Sequence, residues 1–404
     1  MINYNLLHTN FSELTKKLLP RGVKKEQLAT IHDKLQKEKE LLTIINQQRA
    51  ERNQLSTGLQ NAEKVKLLKE KLKKVEEELE SLQEEIKKLI SYIPNIPAIN
   101  VPPITEGNRL IKTIDYEYNI EHSLTYEEIA RKLAIVDEEK GIRLSGNKFI
   151  IYQGLGCQLI HALVNFMLHQ HQKENYQLFT LPYLVREQNL YNTGQLPKLK
   201  EDMFKLENSN LYLIPTAEVP LVNLYYNQII EENKLPLKLC SYSPCFRAEA
   251  GAAGQENKGF IRLHQFHKVE MVRLVQPENS YHQLEEMVKE AQNILHLLKI
   301  PHRVIELSVA ELGFSATKTY DIEVWLPVSK RWLEISSCSN CEDFQARRAK
   351  IRVKDKLGKK YLPHTLNASG LAIDRLIAIL LEYYYQEKDN RLVIPEVLTK
   401  YFWD

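Results

Sequence analysis

The feature that most constrains this chain is a run of apolar residues at alternating spacings of three and four: Val65, Leu68, Leu72, Val75, Leu79, Leu82, Ile86, Leu89 and Ile93. A 3.5-residue period keeps one stripe of a helix turned toward a partner over its whole length, so the segment reads as a long helix with an apolar seam. Seven Lys and seven Glu lie between Val65 and Ile93, the composition of a solvated surface laced with opposite charges. An earlier segment carries the same register through Leu28, Ile31, Leu35, Leu42 and Ile45, then turns basic at Arg49 and Arg52. Between the two lies the polar, glycine-containing stretch Asn53–Gly58. A reversal there makes the segments antiparallel partners, with Arg49, Arg52 and Lys64 at the tip. An oligomerising coiled coil uses the same pattern, so periodicity alone names no partner.

Pro94, Pro97, Pro102 and Pro103 stop the second helix, because proline lacks a backbone donor and disfavours helix at the residue before it. The expected division is a helical hairpin over residues 1–100 and a second domain over 101–404. In the second part, helical patterns such as Gln158–Lys173 mix with β-rich runs such as Leu211–Ile214, Lys268–Leu274 and Ile322–Leu326. No regular strand–helix alternation appears. The expected fold is therefore α+β, an antiparallel or mixed sheet flanked by helices.

With 55 basic and 52 acidic residues the net charge is only +3, so any nucleic-acid contact must use local patches. No stretch is long and apolar enough to span a membrane, and the first residues lack the pattern of a signal or transit peptide; a cytoplasmic protein with no membrane partner is expected. The five cysteines are scattered and odd in number. They read as reduced thiols, and the single Cys338-x-x-Cys341 pair has no second half with which to hold zinc, so no zinc is expected.

The chemistry concentrates at Pro244-Cys-Phe-Arg-Ala-Glu-Ala-Gly-Ala-Ala-Gly254 and the returning segment Phe260-Ile-Arg-Leu-His-Gln-Phe-His-Lys-Val-Glu270. In a two-stranded hairpin these present a guanidinium, a carboxylate and an aromatic ring on one surface, which suits phosphate, an adenine amino group and a base. An ordinary charged hairpin remains the alternative from composition alone.

Phe246-Arg-Ala-Glu249 followed by a glycine-rich loop resembles motif 2 of the class II aminoacyl-tRNA synthetases, and Gly370-Leu-Ala-Ile-Asp-Arg375 on an apolar helix resembles their motif 3. Further words are similar to the seryl-tRNA synthetase family. They are Thr193-Gly-Gln-Leu-Pro197, Ile214-Pro-Thr-Ala-Glu-Val-Pro220, His264-Gln-Phe-His-Lys-Val-Glu270, Lys318-Thr-Tyr-Asp-Ile-Glu-Val-Trp325 and Glu334-Ile-Ser-Ser-Cys-Ser-Asn340. The resemblance spans nearly the whole chain and implies an antiparallel two-helix coiled-coil arm followed by a class II antiparallel sheet flanked by helices.

What it implies can be carried over residue by residue. Arg247 and Arg375 would be the catalytic cations. ATP would be bound by Arg247, Ala248, Glu249, Leu263, Phe266, Glu334, Ile335, Ser336, Ser337 and Arg375, with Phe266 beneath the adenine. Glu334 and Ser337 supply hard oxygens for Mg2+ accompanying ATP. L-serine would be bound by Thr216, Ala217, Glu218, Glu270, Asn367 and Ser369. The arm, through Arg49, Arg52 and Lys64, would grip the long variable arm of tRNA-Ser, and of tRNA-Sec, by phosphate charge and shape. A homodimer is also implied, through the helix ahead of Pro182.

Several features depart from the family pattern. Asp374 stands where glycine is usual, Leu376 where threonine is usual, and Ala368 in place of a glycine, where its methyl group is expected to tighten the serine pocket. Gln255 and Lys258 make the loop less basic than usual, and the arm and the linker from Pro103 to Tyr116 are short. A binding paralogue and a coiled-coil adaptor are the competing readings; the adaptor has no use for Arg247, Glu249, Glu270, Glu334 and Arg375 together.

Overall fold

The computed structural model describes residues 2–55, 62–250 and 259–403, in two compact units, Met1–Ile96 and Pro97–Asp404. Of the turn expected at Asn53–Gly58, residues Ser56 to Gly58 lie outside the described residues, as do the loop residues Gln255 and Lys258.

The first unit begins with two short helices, α1 (Tyr4–Thr9) and α2 (Phe11–Leu18), followed by the long pair α3 (Lys25–Leu55) and α4 (Ala62–Ser91). Asn53, Gln54 and Leu55, expected in the reversal, are still helical. The seam is the apolar one read from the heptads: Leu28, Ile31, Leu35 and Ile45 face Leu72, Leu82, Ile86 and Ile93, all buried. Ion pairs Lys34–Glu85 at 2.5 Å, Lys37–Glu78 at 2.6 Å and Arg49–Glu76 at 2.7 Å flank it, with residue numbers rising on one helix as they fall on the other. That order is the signature of an antiparallel pair. Water screens such exposed pairs, so burial of the seam, not charge, holds the arm together.

The seam differs from the expected register at two layers: near the end of α4 Ile90 is buried and Leu89 only half-buried, and on α3 Leu41 takes the place expected for Leu42. Leu41 is buried and Leu42 is 40 % exposed, because α1 also packs on α3 and widens its covered face toward Leu7 and Leu14. One turn earlier Glu38 is buried at 2 % exposure. Its carboxylate accepts from the Tyr4 hydroxyl and from Gln83 Nε2 at 2.8 Å, with His8 Nε2 3.3 Å away. An acid inside an apolar seam is tolerated only because its oxygens are satisfied in this way.

The second unit is built on an eight-stranded sheet: β1 (Arg109–Ile114), β2 (Gln177–Phe179), β3 (Leu237–Phe246), β4 (Gln265–Val275), β5 (His302–Glu306), β6 (Lys318–Leu326), β7 (Arg331–Asn340) and β8 (His364–Ala372). Their order across the sheet is β1-β5-β6-β7-β8-β4-β3-β2, antiparallel throughout except for the parallel β2–β3 pair. The segment Pro103–Tyr116, expected as a linker, supplies edge strand β1.

Three helices, α5 (Leu155–Lys173), α7 (Ser280–Leu297) and α9 (Ile373–Tyr384), bury their apolar sides with Val269, Met271, Ile322, Val324, Leu366 and Ala368 in the main core. On a second cluster, Val272 and Leu274 pack with Leu221 and Val222 of the short helix α6 (Glu218–Asn223) and Ala346 of α8 (Phe344–Arg348). Because side chains alternate along a strand, the polar residues of β4 and β8 that lie between core residues are turned to the side of α6 and α8. That side carries the candidate site. Among the described residues no helix is long and apolar enough to cross a membrane.

Candidate active site

Strand alternation accounts for the first group. On β4, Val269 and Met271 enter the core, so Lys268 and Glu270 point the other way. Ser369 is paired with Glu270 across the β8–β4 register, and Asn367 stands two residues before it. The segment Pro215–Ala217 brings Thr216 over Glu270, its hydroxyl donating to Glu270 Oε2 at 3.0 Å. Lys268 Nζ lies 2.5 Å from the same carboxylate oxygen and donates to Thr216 Oγ1 at 3.0 Å. Thr216, Lys268 and Glu270 are all buried. A buried carboxylate and ammonium persist together only because each neutralises the other and their remaining hydrogen bonds are filled.

Glu218 opens α6 beside this pair. Its Oε1 accepts from Gln345 Nε2 at 2.6 Å and Asn367 Nδ2 at 3.0 Å, and its Oε2 lies 3.5 Å from Gln195 Nε2. Burial, reinforced by the negative charge of Glu270, pushes the Glu218 carboxyl up to about 7; the Gln345 hydrogen bond, Lys268 and Arg247 pull against the rise. The result is a pocket with two acids, one ammonium and several amides. It can accept a cationic group and hydroxyl donors.

The second group lies where β3 runs out. Arg247 follows β3; its N–H donates to the His264 carbonyl at 2.9 Å, its Nε donates to the Pro215 carbonyl at 3.3 Å, and its guanidinium sits 5.1 Å from the centre of the Phe266 ring. Ala248 N–H donates to the Asp202 carbonyl at 2.9 Å, fixing the exit from the strand. Glu249 has a positive φ of 49°, and its carboxylate accepts from Arg262 at 2.7 Å. Leu263 is buried in the main core.

Glu334, Ile335, Ser336 and Ser337 lie on β7. Leu333, Ile335 and Cys338 all enter the core, an odd step between Ile335 and Cys338 that strict alternation forbids. The β6–β7 register shifts between Ile322 and Glu323 at this point, and the extra residue turns both Glu334 and Ser337 away from the core. Ser336 instead donates to the Ser369 carbonyl at 2.6 Å. Arg375 donates to the Glu334 carbonyl at 2.7 Å and lies 3.5 Å from its carboxylate, so of the two acids that could pair with it, Glu334 does and Asp374 does not.

Across the register from Ser337 stands Asp321, 9 % exposed, whose carboxyl is pushed up to about 8 by burial and by Glu334. Its Oδ1 is buried without a hydrogen-bond partner among the described residues. Hard oxygens from Glu334 and Ser337 beside a carboxylate oxygen that lacks a donor fit a divalent cation. Among the described residues no group of three or more His, Cys, Asp or Glu side chains is placed to hold a metal ion without help from a ligand. Cys338 lies in the main core, and the Cys341 thiol is next to Asn367 and Ser315.

Two expectations need correction. Ala368 does not narrow the pocket: its side chain is in the main core, on the face opposite Asn367 and Ser369. Gly370, Leu371 and Ala372 end strand β8, so the helix of the third motif begins only at Ile373. Several pocket residues were given no role from the sequence. Lys268 was legible in principle, two residues from Glu270 on one strand. Gln345, Asp321, Arg262 and Asp202 carry no local signal, because their contacts span large sequence separations or irregular backbone. On the arm, Arg49 is paired with Glu76, Arg52 donates to Asn53 Oδ1 at 3.2 Å, and Lys64 is exposed near the start of α4.

Comparison with known proteins agrees with this geometry. Residues 203–384 match the tRNA synthetase class II core domain (G, H, P, S and T), so the sheet and the site on it define a class II synthetase. Residues 1–97 match the seryl-tRNA synthetase N-terminal domain. The chain belongs to the seryl-tRNA synthetase family, the serine–tRNA ligases of class II. It is similar in structure to seryl-tRNA synthetase from Pyrococcus horikoshii complexed with ATP, with a TM-score of 0.91 and 29 % identity over 99 % of this chain and 98 % of that one. The cytoplasmic serine–tRNA ligase of Naegleria fowleri in complex with AMP shares the fold, with a TM-score of 0.88 and 24 % identity over 97 % of this chain and 94 % of that one. A prolyl-tRNA synthetase from Giardia lamblia in complex with prolyl-adenylate shares it more distantly, with a TM-score of 0.59 and 18 % identity over 68 % of this chain and 54 % of that one.

Proposed function

We propose that this protein activates L-serine with ATP to seryl-adenylate and transfers the seryl group to the 3′ end of tRNA-Ser, and also of tRNA-Sec, acting as a cytoplasmic homodimer. The observation that carries the reading is the buried pocket of Thr216, Glu218, Lys268 and Glu270, from which an arginine, Arg247, leads toward the aromatic ring of Phe266.

In this reading Glu218 and Glu270 take the ammonium and hydroxyl of serine, with Thr216, Ala217, Asn367 and Ser369 shaping the rest. An amino acid without the hydroxyl leaves a buried acceptor unpaired, so alanine is rejected. The serine carboxylate, already ionised at neutral pH, attacks the α-phosphorus of ATP and pyrophosphate leaves; no general base is needed. Arg247 holds the α-phosphate and stabilises the charge that builds on it. Arg375 gives up its contact with Glu334 to meet the nucleotide, and Phe266 carries the adenine, whose amino group is read by Glu249. Leu263, Ala248, Ile335 and Ser336 complete the ATP site. Glu334 and Ser337 would hold magnesium, which when bound with ATP supplies positive charge against the phosphate oxygens. The arm holds the RNA through the cations Arg49, Arg52 and Lys64.

Amino-acid-dependent ATP/pyrophosphate exchange across all twenty amino acids tests the first half of the reading. Serine alone is expected to support exchange at low concentration, and absence of exchange with serine and magnesium would overturn it.

A further inference from the structure

The residues assigned to the amino-acid pocket leave one buried amide unexplained. Gln345 sits on α8, completely buried. Its Nε2 donates to Glu218 Oε1 at 2.6 Å and to the Thr193 carbonyl at 3.1 Å, while its Oε1 accepts from the Thr365 hydroxyl at 2.6 Å. One amide orientation alone satisfies this set. Reversed, the oxygen would face a carboxylate and a carbonyl, neither of which has a hydrogen to give.

The consequence falls on Glu218. Two N–H donors, from Gln345 and Asn367, occupy its Oε1, and the only partner found for its Oε2 among the described residues is Gln195 at the long distance of 3.5 Å. The carboxylate cannot turn over without abandoning both close donors. We propose that Gln345 is a positioning residue of the amino-acid pocket, locking Glu218 so that Oε2 is the oxygen presented to the bound amino acid. This rests on the reading of Thr216, Glu218 and Glu270 as the serine pocket.

Charge supports the same assignment. Glu218 is faced by Glu270 and Lys268 of β4, by Arg247 beyond β3 and by the Cys341 thiol, with the amides of Asn367 and Gln195 completing its surroundings. Burial and Glu270 disfavour its ionised form, and the hydrogen bond from Gln345 opposes them. A site that binds an ammonium needs the anion, so the amide both aims the group and keeps it charged.

The test is serine-dependent pyrophosphate exchange by the full-length protein, with kcat and the KM values for serine and ATP followed from about pH 6 to about pH 9. Gln345→Met keeps the volume and removes the amide. The expected result is a serine KM raised by about ten- to a hundredfold, the scale of a lost hydrogen bond to a charged group, with the ATP KM unchanged. The pH at which serine kcat/KM reaches half its plateau should also move up by about one unit. A merely structural role would lower kcat and raise both KM values together and leave that midpoint in place, and this outcome overturns the proposal. Thr365→Val frees the far end of the amide without touching Glu218, and should move serine KM and the midpoint in the same direction by less. It decides the matter if Gln345→Met does not fold: an unaltered profile in Thr365→Val then overturns the proposal. Wild-type protein inactive with serine would remove the pocket reading itself, whereas an active wild type with unshifted variants removes the role of Gln345 alone.

Discussion

The Asp374 carboxylate accepts the backbone N–H of His267 at 2.6 Å, joining the first turn of α9 to β4. Its other oxygen accepts from the Tyr152 hydroxyl at 2.8 Å, and the side chain is buried. Phe266 precedes His267 and Arg375 follows Asp374, so this one acid ties the strand that carries the ring to the helix that carries the guanidinium. The residue that departs most visibly from the family pattern is thus a structural brace, and its neighbour Leu376 simply fills the main core.

Asp374→Ala strands a buried N–H and a buried hydroxyl. The expected loss is about 2–4 kcal/mol of unfolding free energy, with a raised ATP KM. Urea denaturation followed by circular dichroism measures the first. A loss within about 0.5 kcal/mol, the range of a neutral surface change, would show that the brace is idle.

The pH dependence of serine use follows from Glu218. Its carboxyl is raised from an ordinary 4.5 to about 7, so the fold favours the protonated form. The associated stability is fully present below 4.5 and is lost as pH rises through about 7. Binding of an ammonium runs the opposite way, because it requires the anion. Serine KM should fall by about tenfold per unit as pH approaches 7 from below, then level off. In Glu218→Gln the slope should vanish; a slope that survives belongs to another group.

Arg247→Ala should lower the pyrophosphate-exchange rate by about 10²–10³-fold, the scale of removing one charge-stabilising donor from a transition state. Steady-state exchange at saturating ATP measures it. Near-normal turnover would take Arg247 out of the chemistry and leave it as a partner of Phe266.

Replacing residues 28–92 with a short linker should leave serine-dependent exchange intact and abolish charging of tRNA-Ser. The second unit has its own core, so activation does not draw on the arm. Equal loss of both activities would contradict this division of labour.

Much of this was legible in the residues themselves, for identifiable reasons. The arm announces itself because a seam needs a strict period, and Leu28, Ile31, Leu35 and Ile45 keep it. The exchange of Leu42 for Leu41 was not legible, since it depends on α1 packing against α3, a contact the period does not encode. In the site, Glu270, Asn367 and Ser369 fall on one face by simple alternation. Glu334 and Ser337 share a face only through the irregular step at Ile335, which no pattern predicts. Gln345 reaches Glu218 across 127 residues of sequence, and a buried amide has no motif of its own.

Glu38 makes the arm a ruler. At 31 residues, α3 is about 46 Å long, and the acid pins one rung of that length to Gln83 on the opposite helix and to Tyr4. Sliding α4 along α3 by a heptad would bring Glu76 or Ile90 to the place of Gln83, so Glu38 would lose its amide partner on the opposite helix, and the register of the arm is held at this rung. Any lengthening or shortening between Glu38 and the tip must be made in both helices at once.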